Sequence, residues 1–244
     1  MTENIESPII LMALFQSHLE AVRDHLFSTR AQVPRQLAAA ALDRSSASLD
    51  AIVDLRSGKS PALAGLVVRH VYECWVVGLY LCFDGETARQ DLVEAEAKRL
   101  NQVAAHWPAG GWSQEAALYS HLSGAGLDVR SIAVRVGKHL NERPFRLLDP
   151  VVHYDSMYRF ESRSNVHAGI GSLSRHLEYS RQRLRLGETR LTEPRDGAAL
   201  AFALAYSAHL GAFVLEQFGL RTEGMVGILE ECLRLFDDAD AGSA

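Results

Sequence analysis

Apolar residues recur along this chain with a helical period, and the periodic runs break at proline and glycine. In "ESPIILMALFQSHLEAVRDHLFSTR" Ile10, Leu14 and Val22 repeat at helical spacing, with Ser7 placed to cap and Pro8 in the first turn. Pro34 ends the next link, and "RQLAAAALDRSSASLDAIVDLRSG" reads as a second helix closed by Gly58. Ser60 and Pro61 open a third that runs to Phe83, and the polar "DGETARQDLVEAEAKRLNQVAAHW" reads as a surface-type fourth. Past the loop "PAGGW", two short helices are expected, over 114–121 and 129–140, and then a long one from about His153 into the 180s. Alternation in "RLRLGETRLT" predicts a small β-hairpin near 182–192, turning at Gly187 and Glu188. Two helices over 198–218 and 223–236 follow, and 237–244 has the composition of a disordered acidic tail. Without an internal repeat or a low-complexity linker, the pattern predicts one all-α domain, a helical bundle over 1–236.

The third helix carries the most information. From Ser60 to Phe83 its only formally charged residues are Arg69 and Glu73, spaced i, i+4 on the face of Gly65, Val76 and Tyr80. Leu63, Leu66, Val67, His70, Cys74, Val77 and Leu81 occupy the other side. A helix apolar nearly all round is a central one, so Arg69 and Glu73 are expected inside the bundle. An ionised group there needs a partner, because its desolvation costs several kcal/mol.

The long helix offers partners. In "YRFESRSNVHAGIGSLSRHLEY" the stripe of Val166, Ile170, Leu173 and Leu177 also receives Arg159 and Arg163, with His167 at its edge and Ser162 and Ser164 alongside. If this row faces the third helix, Glu73 bridges Arg69 and Arg163 and leaves His167 to meet a ligand. Arg69, Arg159 and Arg163 against Glu73 alone leave a cationic hole suited to a phosphate or carboxylate. The alternative is a closed network of the same residues whose only role is to fix helix register.

Here the chain resembles a known group. "ALAGLVVRHVYECWVVGLYL", a charged helix, "RSIAVRVGKHL" and "YDSMYRFESRSNVHAG" together look like a family of bacterial helical proteins described as a domain of unknown function. That family carries an R-x-x-x-E step, here Arg69 and Glu73, and a tyrosine-led segment ending in V-H, here Val166 and His167. The likeness spans roughly 61–195. In layout the family is similar to the HEPN superfamily, which includes metal-independent ribonuclease toxins with an R-x4-6-H motif. This chain departs from that motif: three residues separate Arg163 from His167, and seven separate Arg159 from His167. The failed spacing counts against ribonuclease activity, but the pairing of a cation with an imidazole still suits such chemistry, with His167 as the acid or base and Arg163 as the transition-state cation. The cationic hole read from the residues has Arg69, Glu73, Arg159 and Ser164 hold the ligand.

Composition narrows the classes further. The net charge of −5 excludes a generally basic nucleic-acid coat protein, although 159–195 is locally rich in arginine. Cys74, Cys82 and Cys232 lack C-x-x-C spacing and read as buried thiols of a reducing compartment. The acidic start is not a secretory signal, and Arg69, His70 and Glu73 interrupt one apolar stretch while alanine dominates the other, 198–215. The expectation is a cytoplasmic protein with no membrane span. No Glu-x-x-His step on two helices marks a metal bundle, and no Gly-rich phosphate loop or dinucleotide fingerprint marks a cofactor, so neither is expected. His70 and Cys74 sit i, i+4, a spacing that could activate the thiol. Small residues in 198–219, with the HEPN-like layout, point to a homo-oligomer. The function read from all this is binding of an anionic or nucleotide-like ligand, RNA-directed as in a toxin or defence system. The alternatives are a small-molecule enzyme or binding protein of a biosynthetic pathway, or a non-catalytic interaction module.

Overall fold

The computed structural model describes residues 3–27, 31–57, 64–107, 113–118, 120–122, 127–143, 148–158, 177–180, 183–186 and 194–241. It is an all-α bundle built from α1 (Glu3–Leu26), α2 (Val33–Ser57), α3 (Ala64–His106), α4 (Ser113–Leu118) and α5 (Val129–Asn141). These are followed by α6 (Pro150–His153), a π turn (Tyr154–Tyr158), α7 (Pro194–Gln217) and α8 (Glu223–Ala241).

Helix ends follow local chemistry. The Asp128 carboxylate accepts from Ser131 N to open α5, and Asp149 accepts from Val151 N and Val152 N to open α6, with Pro150 in the first turn. After α7, Gly219 at φ 69° takes the left-handed conformation, and Leu220 N donates back to Leu215 O at 2.9 Å.

Several boundaries differ from the sequence expectation. α1 begins before Pro8, which lies inside the helix, close enough to its start that the missing N–H costs little. The expected third and fourth helices are joined in α3, which breaks at Gly85 (φ 51°, ψ −115°), a conformation for which glycine carries no Cβ penalty.

The long helix predicted from His153 does not reach the 180s, because Leu177–Ser180 is a strand, β1, paired antiparallel with β2 (Arg183–Leu186); residues 159–176 lie outside the described residues. The strand paired with β2 thus lies upstream of it, where the sequence placed the partner downstream, beyond Gly187 and Glu188. The backbone register sets Leu177 opposite Leu186, Glu178 opposite Arg185, Tyr179 opposite Leu184 and Ser180 opposite Arg183. α8 continues to Ala241, into the segment expected as a disordered tail.

The core lies between α2, the first half of α3 and α7. Trp75, Val71, Val76 and Leu79 of α3 are fully buried, as are Leu42, Leu49 and Ile52 of α2 and Leu204, Tyr206 and Leu210 of α7. The Trp75 indole stacks on the Tyr206 ring at 4.7 Å, and its Nε1–H donates to His209 Nδ1 at 3.2 Å. Close approach of α3 and α7 depends on Gly78: a Cβ there would sit 2.6 Å from Leu210 Cδ1. The Ser45 and Ser207 hydroxyls meet at 2.6 Å in the buried seam between α2 and α7.

Two helical stretches, Ala64–His106 and Ala199–Gln217, are long and apolar enough to cross a membrane. In this fold 56% and 78% of their most apolar windows are buried inside the protein.

Candidate functional site

Of the predicted site residues, Arg69 and Glu73 fall within the described part of the chain, and Arg159, Arg163, Ser164 and His167 lie outside it. The helical spacing of Arg69 and Glu73 brings them together as expected, with Arg69 Nε 3.4 Å from Glu73 Oε1. Their burial differs from the expectation. The side chains are 28% and 34% exposed, so the pair sits at the rim of the bundle rather than in its interior. α3 is central on the faces toward α2 and α7, and its third face opens beside the π turn.

That face is completed by Tyr158, which the sequence reading did not assign. Arg69 Nη2 donates to the Tyr158 hydroxyl at 2.8 Å, and the hydroxyl donates to Glu73 Oε1 at 2.8 Å. The Arg69 guanidinium also lies over the Tyr158 ring, 4.6 Å from its centroid. The π turn positions this tyrosine: Tyr154 and Tyr158 stack at 4.9 Å, and Tyr158 packs against Tyr72, whose hydroxyl donates to Pro150 O at 2.7 Å. Burial, and then the bond to Glu73, push the Tyr158 phenol up to about 12, so it remains a neutral donor. The pairing spans 85 residues of sequence, which is why no local pattern announces it.

On the adjacent face of α3, His70 meets α2. Arg44 Nε donates to His70 Nε2 at 2.9 Å, and Cys74 Sγ lies 3.6 Å from the same nitrogen. Since a guanidinium only donates, Nε2 carries the lone pair, and the ring proton of the neutral imidazole is on Nδ1. Burial first, then Arg44, lower the His70 pKa, against an opposing pull from Glu73. The Cys74 thiol is pushed up to about 11 by burial, so the i, i+4 histidine does not activate it. Around Tyr158 and His70 the described residues therefore place two guanidiniums, Arg44 and Arg69, against one carboxylate, Glu73, with a neutral imidazole between.

A second arginine–tyrosine–carboxylate group ties α5 to α3 across the Gly85 break. Tyr80, ahead of the break, donates to Asp91 Oδ2 beyond it at 2.5 Å, and Arg135 Nη1 reaches the Tyr80 hydroxyl at 2.7 Å and Asp91 at 3.1 Å. His139 Nε2 lies 3.1 Å from Asp84 Oδ1 beside it.

Among the described residues no group of three or more His, Cys, Asp or Glu side chains is arranged to hold a metal ion. Set against known proteins, the chain matches no family model, no curated protein and no solved structure.

Proposed function

We propose that this protein binds an anionic, nucleotide-like ligand at the rim of the bundle where Arg69, Glu73 and Tyr158 meet, and that it acts on RNA in the manner suggested by its HEPN-like layout. One observation carries the reading: beside the Arg69–Glu73 pair a second guanidinium, Arg44, is held on His70 of the same helix, and Arg69 itself is fixed by a tyrosine hydroxyl and ring as well as by its carboxylate. A guanidinium held in one orientation and still partly exposed is a preorganised contact for phosphate oxygens. The sequence adds to the surplus, because Tyr158 is followed directly by the stretch that contains Arg159, Arg163, Ser164 and His167. In the proposed reaction His167 moves the proton of a ribose hydroxyl and Arg163 offsets the charge that builds on phosphorus.

On this reading the protein works in the cytoplasm as a homo-oligomer. Most of α7 is buried within the protomer, so a twofold mate would meet another face.

The test is fluorescence anisotropy with a labelled single-stranded RNA. Arg69→Gln should weaken binding by about tenfold and flatten its salt dependence, while Arg69→Lys retains part of the affinity. His167→Ala should abolish cleavage of the same RNA and leave binding in place. A wild-type protein that takes up neither RNA nor mononucleotide defeats the proposal. Binding of a small anion without RNA would favour the biosynthetic alternative.

A further inference from the structure

Arg44 is the least explained charge among the described residues. It is exposed, and its Nε is held by the neutral His70 imidazole rather than by a carboxylate. The neighbouring Asp43 is engaged by Arg23, at 3.1 Å. Among the described residues no carboxylate lies within ion-pair distance of Arg44. A histidine lone pair orients a guanidinium without cancelling its charge. The groups facing His70 are Arg44 from α2, and Glu73 and Cys74 from its own helix. Glu73 is already engaged by Arg69 and Tyr158.

We propose that Arg44 and His70 form a proton-linked arm of the anion site, taking a phosphomonoester dianion between the Arg44 guanidinium and the His70 imidazolium. This deepens the reading given above and rests on it. While His70 accepts from Arg44, its Nε2 offers an anion only a lone pair. For Nε2, the nitrogen that faces Arg44, to donate to a phosphoryl oxygen, the ring must take a second proton from solvent and give up the bond from Arg44, which frees that N–H for the same anion. Binding and protonation are therefore a single linked event.

The charge count selects the ligand class. With His70 protonated, Arg44, Arg69 and His70 stand against Glu73 and leave two positive charges. That surplus matches a terminal phosphate dianion and is twice the charge of an internal phosphodiester. The natural ligand is then a mononucleotide or a phosphorylated RNA end.

Isothermal titration of the full chain with sulfate tests the linkage, because sulfate keeps its two charges across the range used. Between about pH 8 and about pH 6 wild-type affinity should rise several-fold, with proton uptake visible as a buffer-dependent heat. His70→Gln, which retains hydrogen bonding but cannot titrate, should bind with no pH dependence, and Arg44→Gln should weaken binding at both ends of the range. For the ligand class, adenosine monophosphate should bind about tenfold more tightly than a dinucleotide carrying only a phosphodiester. A flat wild-type profile, or a pH dependence that survives in His70→Gln, overturns the assignment. If Arg69→Gln abolishes sulfate binding while the Arg44 and His70 variants behave as wild type, this arm is wrong and the Arg69 site stands. If wild-type protein binds neither sulfate nor adenosine monophosphate, both readings fall.

Discussion

Replacing Glu73 by glutamine measures how sealed the rim network is. In a fully buried setting, removing one member of an ion pair strands the other and costs about 3–5 kcal/mol. Here both side chains keep roughly a third of their surface in water, so the guanidinium of a Glu73→Gln variant can be hydrated. Glutamine also retains a carbonyl to accept from the Tyr158 hydroxyl, so that bond falls from charge-assisted to neutral, a loss of about 1 kcal/mol. The i, i+4 ion pair with Arg69 adds about 0.3–0.5 kcal/mol. The expected destabilisation is thus about 1–1.5 kcal/mol, or roughly 3–5 °C in Tm for a chain of this size. Urea unfolding followed by circular dichroism would read it, and a double-mutant cycle with Tyr158→Phe should show coupling of about 0.5–1 kcal/mol. A loss above 3 kcal/mol would mean that the pair is sealed from solvent. No loss and no coupling would mean that Tyr158 does not bridge the two charges.

Three further outcomes follow from the packing. Gly78→Ala places a Cβ against Leu210 and should cost about 1–3 kcal/mol by chemical denaturation, with part of the loss recovered when Leu210→Ala is added. Burial lowers the pKa of His153 and, with Arg44, that of His70. On acidification the unfolded chain takes up protons first, so the contribution to stability is full above about pH 6.5 and falls as the pH drops below it. Urea midpoints at about pH 7.5 and about pH 5.5 should show this fall, and His153→Gln should make it shallower. An identical fall in wild type and variant would show that the group does not contribute. The buried Cys74 and Cys232 thiols are pushed up to about 11 and about 12 by burial, so a thiol reagent should label them only as fast as the protein opens. Rapid labelling in native buffer would contradict their burial.

The sequence reading succeeded where the information is local. The near-continuous apolar character of 64–83 marks the central helix, and the i, i+4 step on it brings Arg69 and Glu73 together as drawn. The boundary read after Phe83 falls beside the Gly85 break, although the backbone hydrogen bonding continues across it as a single α3. Burial of the pair was overestimated because a helical wheel reports how many faces are apolar, not which of them a neighbour covers. Tyr158 and Arg44 were missed for a different reason. Their partners lie 85 and 26 residues away, and a tyrosine or arginine beside charged helix positions looks the same whether it meets them or points to solvent. For the hairpin, the alternation in 183–192 marks β2 at 183–186, while its partner is 177–180, a segment whose apolar spacing also fits a helix.

The two arginine–tyrosine–carboxylate groups on α3 provide an internal control for the functional argument. In both, a guanidinium donates to a tyrosine hydroxyl that donates to a carboxylate, so the triad by itself does not distinguish a binding site from a structural tie. The surroundings differ in sign. Near Arg135 the carboxylates of Asp91 and Asp84 match or exceed the positive charge in either form of His139, whereas near Arg69 the second cation, Arg44, has no carboxylate among the described residues. Coulomb attraction for an incoming anion follows that balance. The Arg135 group also spans the Gly85 break, joining Tyr80 before it to Asp91 after it, as a tie would. Arg135→Gln should therefore lower stability by about 1 kcal/mol in urea unfolding and leave sulfate affinity unchanged. Arg69→Gln should lower that affinity with a comparable effect on folding. If the two variants lose anion binding equally, the charge surplus at the Tyr158 rim is not what recruits the ligand.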